Sequence, residues 1–160
     1  MPEQDVLDKT NYSDAKPNFF LSLISLRCPR CRRGPMFKND VTINSTKNMA
    51  MHKTCPLCGQ YMELEVGFYY GTGYVSYALC VAITVAVFVA YYVLIGVSIN
   101  DYSLYYYLAA DITILILMMP YIMRLSRTIW LNFFTKYEKD WKTTKAPKPE
   151  RIVEDQMGNW

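Results

Sequence analysis

Charged residues are scarce in this chain, and one long stretch has none. Only 19% of the 160 residues are charged, whereas 52% are hydrophobic; a typical soluble domain has about a quarter charged residues. Residues 66–100 contain no Asp, Glu, Lys, Arg or His, and Asp111 is the only charged residue within 102–123. This distribution excludes an ordinary soluble enzyme fold, and the high apolar content excludes disorder as a description of the whole chain.

Groups that carry out catalysis are equally few. The chain has a single histidine, His52, and it has no Ser/His/Asp set, no phosphate-binding loop and no paired carboxylates suited to acid–base chemistry. The neighbouring acids Glu63 and Glu65 are more simply interpreted as the polar end of a small domain beside an apolar stretch. The sequence therefore predicts a protein that is not an enzyme.

Two apolar stretches are each long enough to cross a membrane. A hydrocarbon core about 30 Å thick needs about 20 helical residues, and residues 72–97 and 104–123 meet this length. Tyrosines lie near their ends, where aromatic rings favour the membrane interface. The mostly polar residues that precede the first stretch argue against a signal peptide. Only residues 98–103, the expected outer loop, separate the two, which predicts a tight antiparallel hairpin.

Basic residues are concentrated on both flanks of this hairpin. Residues 27–53 contain seven Lys or Arg against one acid, and the residues after Met123 contain eight against five. The connecting loop contains Asp101 and no basic residue. Because segments rich in Lys and Arg stay on the cytoplasmic side, we expect a two-pass protein with both termini in the cytosol.

Four of the five cysteines form two pairs at metal-ligand spacing. The pairs lie in Cys28-Pro-Arg-Cys31 and Cys55-Pro-Leu-Cys58, with 23 residues between them. Two such turns supply the four thiolates of a closed tetrahedral Zn²⁺ site. Residues 27–65 are therefore predicted to form a small β-rich zinc-ribbon, with a β-hairpin within 39–53. So short a segment cannot bury enough core to fold alone, and we expect bound metal to supply its folding energy.

Other interpretations of these cysteines remain open. A disulfide framework needs an oxidising compartment, and the expected orientation places the cysteines in the cytosol. A thioredoxin-like redox pair needs a βαβ context, which neither pair has. Iron with four thiolate ligands fits the same donor set. His52, three residues before Cys55, is expected either to hydrogen-bond near the ligands or to lie at the surface, and Cys80 is expected to pack inertly within the first span.

The flanking segments are interpreted from their polarity. Residues 1–16 are predicted to be a flexible acidic tail and residues 142–160 a polar tail. The short amphipathic segment 17–26 either lies on the membrane surface or packs on the ribbon. Residues 124–141 keep helical spacing and are predicted to form an interfacial helix. Three of its side chains are expected to contact lipid headgroups or a partner protein: Arg124, Arg127 and Trp130.

Asp111 is the one ionisable residue inside a predicted span. A carboxylate in lipid is costly and indicates an intramembrane functional site, with Tyr107 one turn away as a possible hydrogen-bond partner. The alternative is that Asp111 lies near enough to the outer surface to reach water.

Together these features predict the fold of the whole chain. The expected fold is a membrane α-helical hairpin of two transmembrane helices, with an N-terminal β-rich zinc-ribbon and a C-terminal amphipathic interfacial helix.

Several motifs of the chain also occur together in a known family. They are Cys28-Pro-Arg-Cys31, Met51-His52-Lys53-Thr54-Cys55-Pro56-Leu57-Cys58-Gly59, Gly67-Phe68-Tyr69-Tyr70-Gly71, Met119-Pro120, Arg124-Leu125-Ser126-Arg127 and Ile129-Trp130-Leu131-Asn132-Phe133-Phe134. In this combination the sequence resembles the DUF983 family of bacterial membrane proteins, more closely its Bacteroidetes-type members, over roughly residues 26–137. The resemblance implies the bacterial cytoplasmic (inner) membrane and, from gene neighbourhoods of cytochrome oxidase subunits, a link to respiratory-complex assembly.

The function expected from these features is that of an accessory or assembly partner of a larger membrane complex. A two-helix hairpin buries little by itself, so a membrane-protein partner or a homo-oligomer is expected beside membrane lipid. Two alternatives stay open. The first is a membrane-tethered zinc-ribbon that binds nucleic acid or a regulatory protein, although the positive-inside rule already accounts for its basic residues. The second is metal handling or ion transport that uses Asp111.

Overall fold

The computed structural model describes residues 16–96 and 102–149. In this part of the chain the elements are α1 (Phe19–Ile24), α2 (Ser45–Asn48), a 3₁₀ helix (Phe68–Gly71), α3 (Thr72–Leu94) and α4 (Ser103–Phe134). Most of the predicted acidic tail, most of the predicted outer loop and the end of the predicted polar tail lie outside the described residues.

The prediction of two long apolar helices is confirmed. α3 has 23 residues and α4 has 32, which correspond to about 35 Å and about 48 Å of helix. Mean hydropathy reaches 2.3 within Phe68–Leu94 and 1.7 within Ser103–Phe134. Both are therefore long and apolar enough to cross a hydrocarbon layer of about 30 Å. No residue of α3 is buried, so apolar side chains face outward along its length.

The two long helices pack side by side in opposite directions. The ring of Tyr107 in α4 lies 5.4 Å from that of Phe88 and 5.8 Å from that of Tyr91, both in α3. The hydroxyl of Tyr91 donates a hydrogen bond to the carbonyl of Ser103, at 3.1 Å. Because later residues of α3 meet earlier residues of α4, these contacts establish the antiparallel hairpin.

α4 continues past the predicted end of the second span. The sequence predicted a span at 104–123 and a separate interfacial helix at 124–141, whereas the structure has one helix that ends at Phe134. Its last part carries most of its buried side chains, among them Arg124 and Leu131. The helix continues because this part packs against the cysteine-bearing region.

The residues after α4 fold back on the same region. Thr135 adopts an extended conformation that ends the helix, and the backbone N–H of Glu138 then donates to the carbonyl of Arg30 at 3.1 Å. Trp141 is only 3% exposed. Residues 135–145 are called the C-terminal segment from here on. The predicted polar tail begins within it, at 142, and its residues Thr143, Thr144 and Lys145 are exposed.

The cysteine-bearing region, residues 27–65, is called the cysteine domain from here on. Within the described residues it has no β-strand, only isolated antiparallel bridges, such as the one between Phe37 and Met51, so its predicted β-rich character is not confirmed. Where the sequence predicted a hairpin at 39–53, the short helix α2 lies instead. The Asn44 side chain accepts a hydrogen bond from the N–H of Lys47 and so caps this helix.

Candidate metal centre

Four cysteine side chains meet at one point of the cysteine domain. The Sγ atoms of Cys28, Cys31, Cys55 and Cys58 all lie within 4.8 Å of one another, and all four residues are buried. The Cys28–Cys58 and Cys31–Cys55 sulfur pairs are 3.7 and 3.8 Å apart. Tetrahedral bonds of about 2.3 Å to one metal ion place sulfurs about 3.8 Å apart, whereas a disulfide holds them at about 2.05 Å. The four thiols are free, and their geometry fits a single metal ion.

Two turns of similar construction present these sulfurs. In the first, the N–H of Arg32 donates to the carbonyl of Cys28 at 2.7 Å; in the second, the N–H of Gly59 donates to the carbonyl of Cys55 at 2.9 Å. Arg32 and Gly59 both follow the second cysteine of their pair, and both have positive φ, 55° and 71°. Glycine adopts this conformation without strain, whereas arginine does so at a cost in backbone energy.

Gly34 is a site residue that the sequence reasoning missed. Its N–H lies 3.4 Å from Cys31 Sγ and donates a hydrogen bond to it. A Cβ atom at this position would lie 2.4 Å from Cys55 Sγ, closer than van der Waals contact allows. In the sequence, Gly34 is visible only as a glycine three residues after the first cysteine pair. The need for a residue without a side chain comes from Cys55 of the second pair, which packs against it in the fold.

The ionisation of the four thiols is strongly interdependent. Hydrogen bonds with Cys31, Cys55 and Cys58, together with burial, raise the pKa of Cys28 well above its ordinary value. Hydrogen bonds from Cys28 and the other two thiols to the Cys31 sulfur lower the pKa of Cys31. A hydrogen bond with Cys28 also lowers the pKa of Cys55, so ionisation is favoured at Cys31 and Cys55 and disfavoured at Cys28. A metal ion would supply the positive charge that allows all four to ionise.

His52 lies beside the cysteine cluster in the chain but lines a different cavity. Its backbone N–H donates to the carbonyl of Met36 at 3.0 Å, and its side chain faces a space shared with Lys38 and Lys53. Burial, with the nearby charge of Lys38, lowers the pKa of His52, so the ring is neutral at pH 7. Its expected hydrogen bond near the ligands stays a prediction.

Arg30 joins the metal centre to the C-terminal segment. The side chain is 2% exposed; its guanidinium donates to Cys58 O at 3.0 Å, to Thr144 O at 2.8 Å and to Glu138 Oε2 at 2.9 Å. It also lies within the first cysteine turn, where its positive charge offsets the negative charge of clustered thiolates. The C-terminal segment therefore closes one side of the centre, which sequence spacing did not indicate.

We expect Glu138→Ala to loosen this closure. The substitution leaves the buried Nε of Arg30 without its acceptor, and the expected loss in free energy of unfolding is about 1.5 kcal/mol. Denaturant unfolding in detergent measures this loss, with Lys139→Ala, an exposed neighbour, as the matched control. Equal stabilities of the two variants would show that the ion pair contributes nothing.

Arg124 fastens α4 to the cysteine domain. Its guanidinium donates at 2.8 Å to each of three backbone carbonyls, those of Asn39, Asp40 and Asn48, and lies 4.7 Å from the centre of the Phe37 ring. The side chain is 2% exposed. The expectation that Arg124 contacts lipid headgroups is therefore corrected, because its hydrogen bonds are directed into the protein.

Arg127 and Trp130 also contact the chain itself. The Arg127 guanidinium lies 5.1 Å from the centre of the Tyr69 ring, and its Nη1 is 3.5 Å from the sulfur of Met51. The indole N–H of Trp130 donates to the carbonyl of Phe68 at 2.8 Å. Both residues stay partly exposed, so their expected contacts with lipid or a partner stay predictions.

Asp111 is buried between the two long helices. Its Oδ2 accepts a hydrogen bond from the hydroxyl of Thr84 at 3.2 Å, while its Oδ1 is buried without a hydrogen-bond partner among the described residues. Tyr107, the expected partner, packs its ring on α3 instead. Asp111 therefore faces the other helix, and Thr84 is the contact that the sequence reasoning missed.

The centre thus combines a buried four-cysteine cluster, a docked helix and a C-terminal segment that closes one side. Comparison with family models, with curated proteins and with solved structures finds no match to the chain.

Proposed function

We propose that the protein is a two-pass membrane protein whose cysteine domain holds one structural Zn²⁺ and serves as the docking surface for a larger membrane complex. The proposal rests on one observation: the domain that contains the buried four-cysteine cluster packs against the end of an apolar helical hairpin. Arg124 and Arg30 fasten the domain from both sides. A domain held against the hairpin by buried hydrogen bonds is suited to present one surface at a fixed height above a membrane.

A structural role for the metal is supported by the absence of an open coordination position. Four thiolates complete the tetrahedral shell of zinc, whereas catalytic zinc sites keep one position for water. The four sulfurs are buried, Cys28 and Cys31 with 0% exposure, which leaves a substrate no direct approach. Iron in the same set of sulfurs is the alternative, and metal analysis distinguishes the two.

A cytosolic position for the cysteine domain is supported by charge and by redox chemistry. The domain and the C-terminal segment meet at the same end of the hairpin, so both basic flanks lie together. Positive flanks stay in the cytosol, where thiols remain reduced. This orientation agrees with four free thiols at metal-binding distance.

An accessory role in a complex is supported by the outward surface of the hairpin. α3 has no buried residue, and aromatic side chains such as Tyr74 and Tyr92 are largely exposed. A hairpin with so little internal burial gains packing energy from a partner's helices or from a second copy. The resemblance to the DUF983 family makes a respiratory oxidase the complex to examine first.

Nucleic-acid binding is less well supported because two of the seven basic residues of 27–53, Arg30 and Arg32, contact the protein itself, whereas Arg27, Lys38, Lys47 and Lys53 are exposed. Arg30 is buried in the closure described above. The guanidinium of Arg32 lies 4.7 Å from the centre of the Tyr137 ring and 5.1 Å from that of Phe19. Fewer charges of residues 27–53 are thus available for phosphate contacts than the sequence suggested.

Transport through the hairpin is the second candidate, since Asp111 has one buried oxygen without a described partner. Under the docking proposal, we expect Asp111→Asn to leave complex assembly and growth unchanged, because the amide can still pair with Thr84. A loss of function in this variant, with normal protein levels, would instead favour proton or ion transport. The control Thr84→Val removes the hydrogen bond from the Thr84 hydroxyl to Asp111 and leaves the Asp111 carboxyl group in place.

Affinity isolation from native membranes, with metal analysis of the same sample, tests the proposal. We expect one equivalent of zinc per chain and co-purifying subunits of a membrane complex, most informatively of an oxidase. Recovery of the chain alone as a monomer would contradict the docking role, and a metal-free disulfide form would contradict both the metal site and its orientation.

A further inference from the structure

A cavity of about 560 Å³ lies between the cysteine domain and α4. Its walls come from α2, from the residues around His52, from Met62 and Glu63, and from Met123 and Arg127 of α4. The volume is in the range of small-molecule sites, roughly 300–1,000 Å³. None of the metal ligands lines this cavity, so it is separate from the centre described above.

Positive charges and hydroxyls are concentrated on its walls. Lys38, Lys53 and Arg127 line it against one acid, Glu63, and Ser45 and Thr46 are also among the lining residues. Lys38 and Lys53 are both exposed. Cations with nearby hydroxyl donors are the groups that bind phosphate oxygens.

The position of the cavity along α4 can be compared with the predicted end of the second span. Met123 is the last residue of the predicted second span, and Arg127 follows it by four residues, about 6 Å further along the helix. A headgroup layer occupies roughly 5–7 Å outside the hydrocarbon on each side. With the hydrocarbon edge at this predicted end, the cavity would extend from Met123 through the layer where lipid phosphates lie.

A soft metal ion is a weaker match to this cavity than an anion. Methionine sulfurs of Met49, Met51, Met62 and Met123 line it, and thioethers bind Cu(I). However, the Met51 sulfur already accepts a hydrogen bond from Arg127, and three cationic side chains repel a metal cation. Methionines instead form an adaptable apolar wall of the kind that accepts an acyl chain.

We propose that this cavity binds the phosphate group of an anionic phospholipid, with Lys38, Lys53 and Arg127 holding the phosphate and the methionines holding the first part of an acyl chain. The inference rests on the proposed membrane location of the hairpin. It gives the cysteine domain a specific lipid contact in addition to its contact with α4. Free inorganic phosphate has the same chemistry, and the experiment separates the two sources.

The test is native mass spectrometry of the full chain in neutral detergent, titrated with phosphatidylglycerol, with phosphatidylcholine or with inorganic phosphate. We expect one phosphatidylglycerol bound in preference to phosphatidylcholine, and a loss of roughly 30-fold in its affinity in the double variant Lys38→Gln/Lys53→Gln. Lys136→Gln/Lys139→Gln removes the same charge from exposed positions outside the cavity and is expected to bind normally. A neutral detergent micelle carries no surface potential. A difference in lipid affinity between the two double variants therefore reports binding in the cavity and not general attraction to a charged surface.

Each outcome decides a different point. Phosphate binding with the same dependence on Lys38 and Lys53 would retain the anion site and replace lipid by a soluble ligand. Equal binding by both double variants, or uptake of Cu(I) that depends on Met51, would overturn the inference. Recovery of the chain in the soluble fraction of cells would instead contradict the proposed membrane location, whereas correct membrane insertion without lipid selectivity would contradict this inference alone.

Discussion

Replacing Cys55 by serine is expected to abolish metal binding and to unfold the cysteine domain. A serine hydroxyl does not ionise near neutral pH, so three thiolates remain and the tetrahedral shell is broken. Structural zinc contributes an apparent free energy of about 10–16 kcal/mol in small domains. The hydrophobic core of this domain is small, with Met36, Leu57 and Met62 as its largest fully buried apolar side chains, and it cannot offset such a loss.

Cys80→Ser is the matched control for this prediction. Cys80 lies in α3, apart from the four clustered thiols, and is half-buried. We expect metal analysis to give about one equivalent of zinc for the wild type and for this control, and nearly none for Cys55→Ser. Trypsin supplies a second readout, because the buried Arg30 becomes a cleavage site only when the domain unfolds.

Full zinc content in Cys55→Ser would contradict the assignment of the ligands, and unchanged protease resistance without zinc would show that the domain folds unaided.

The pH dependence of zinc binding gives an independent check of the thiolate ligands. Protons compete with zinc for the thiolates, so zinc is expected to be retained at neutral pH and released as the pH falls. Refolding on return to neutral pH should then require added zinc.

Local patterns predicted the parts of the molecule whose signal lies in consecutive residues. The spacing of Cys28 and Cys31, repeated in the second pair, predicted a cluster that the structure brings within 4.8 Å. The long uncharged run at 72–97 predicted the helix found at Thr72–Leu94. In both cases the chemistry is decided by neighbours in the chain, so composition and spacing were sufficient.

Contacts between distant residues left no such signal. Arg30 and Glu138 are 108 positions apart, and nothing in either local sequence indicates that they pair. The residues after Met123 have the basic and apolar mixture of an interfacial helix, which is also the mixture of a helix that packs on a charged domain. Only the second arrangement buries Trp141, and sequence periodicity does not distinguish the two.

The short helix α2 shows a different reason for error. A β-hairpin was predicted because the polar stretch at 39–53 had to span two cysteine pairs, and a hairpin is the usual solution. The sequence nevertheless contained a helix start, since Asn44 is a good N-cap residue. The Asn48 side chain that ends α2 then donates to the carbonyl of Pro120. The local cap and this long-range contact together favour the helix over a strand.

Arg124→Ala is expected to release α4 from the cysteine domain without removing the metal. The variant loses three charge-assisted hydrogen bonds and the contact with the Phe37 ring, and the carbonyl of Asn48, a residue 1% exposed, is left buried without its donor. The carbonyls of Asn39 and Asp40 belong to exposed residues, where water can replace the guanidinium. The expected loss in free energy of unfolding is therefore about 3 kcal/mol, not the sum of three full hydrogen bonds.

Arg124→Lys tests whether shape or charge carries this contact. A lysine keeps the positive charge, but one ammonium cannot reach three carbonyls in the fixed fork of a guanidinium, so we expect most of the loss to persist. Arg27→Ala, which removes an exposed arginine side chain that donates to Arg33 O, is expected to cost under about 0.5 kcal/mol.

Two measurements distinguish release of α4 from collapse of the domain. Zinc content should stay at one equivalent in Arg124→Ala, because no ligand has changed, while trypsin should cleave faster at Lys47 in α2, whose neighbour Asn48 is held by α4. Loss of zinc in this variant would show that docking and metal binding are one cooperative unit. Wild-type stability would instead show that the three hydrogen bonds are replaced by water at no cost. With zinc retained and α2 exposed, the metal would organise the domain and Arg124 would set its position on the hairpin.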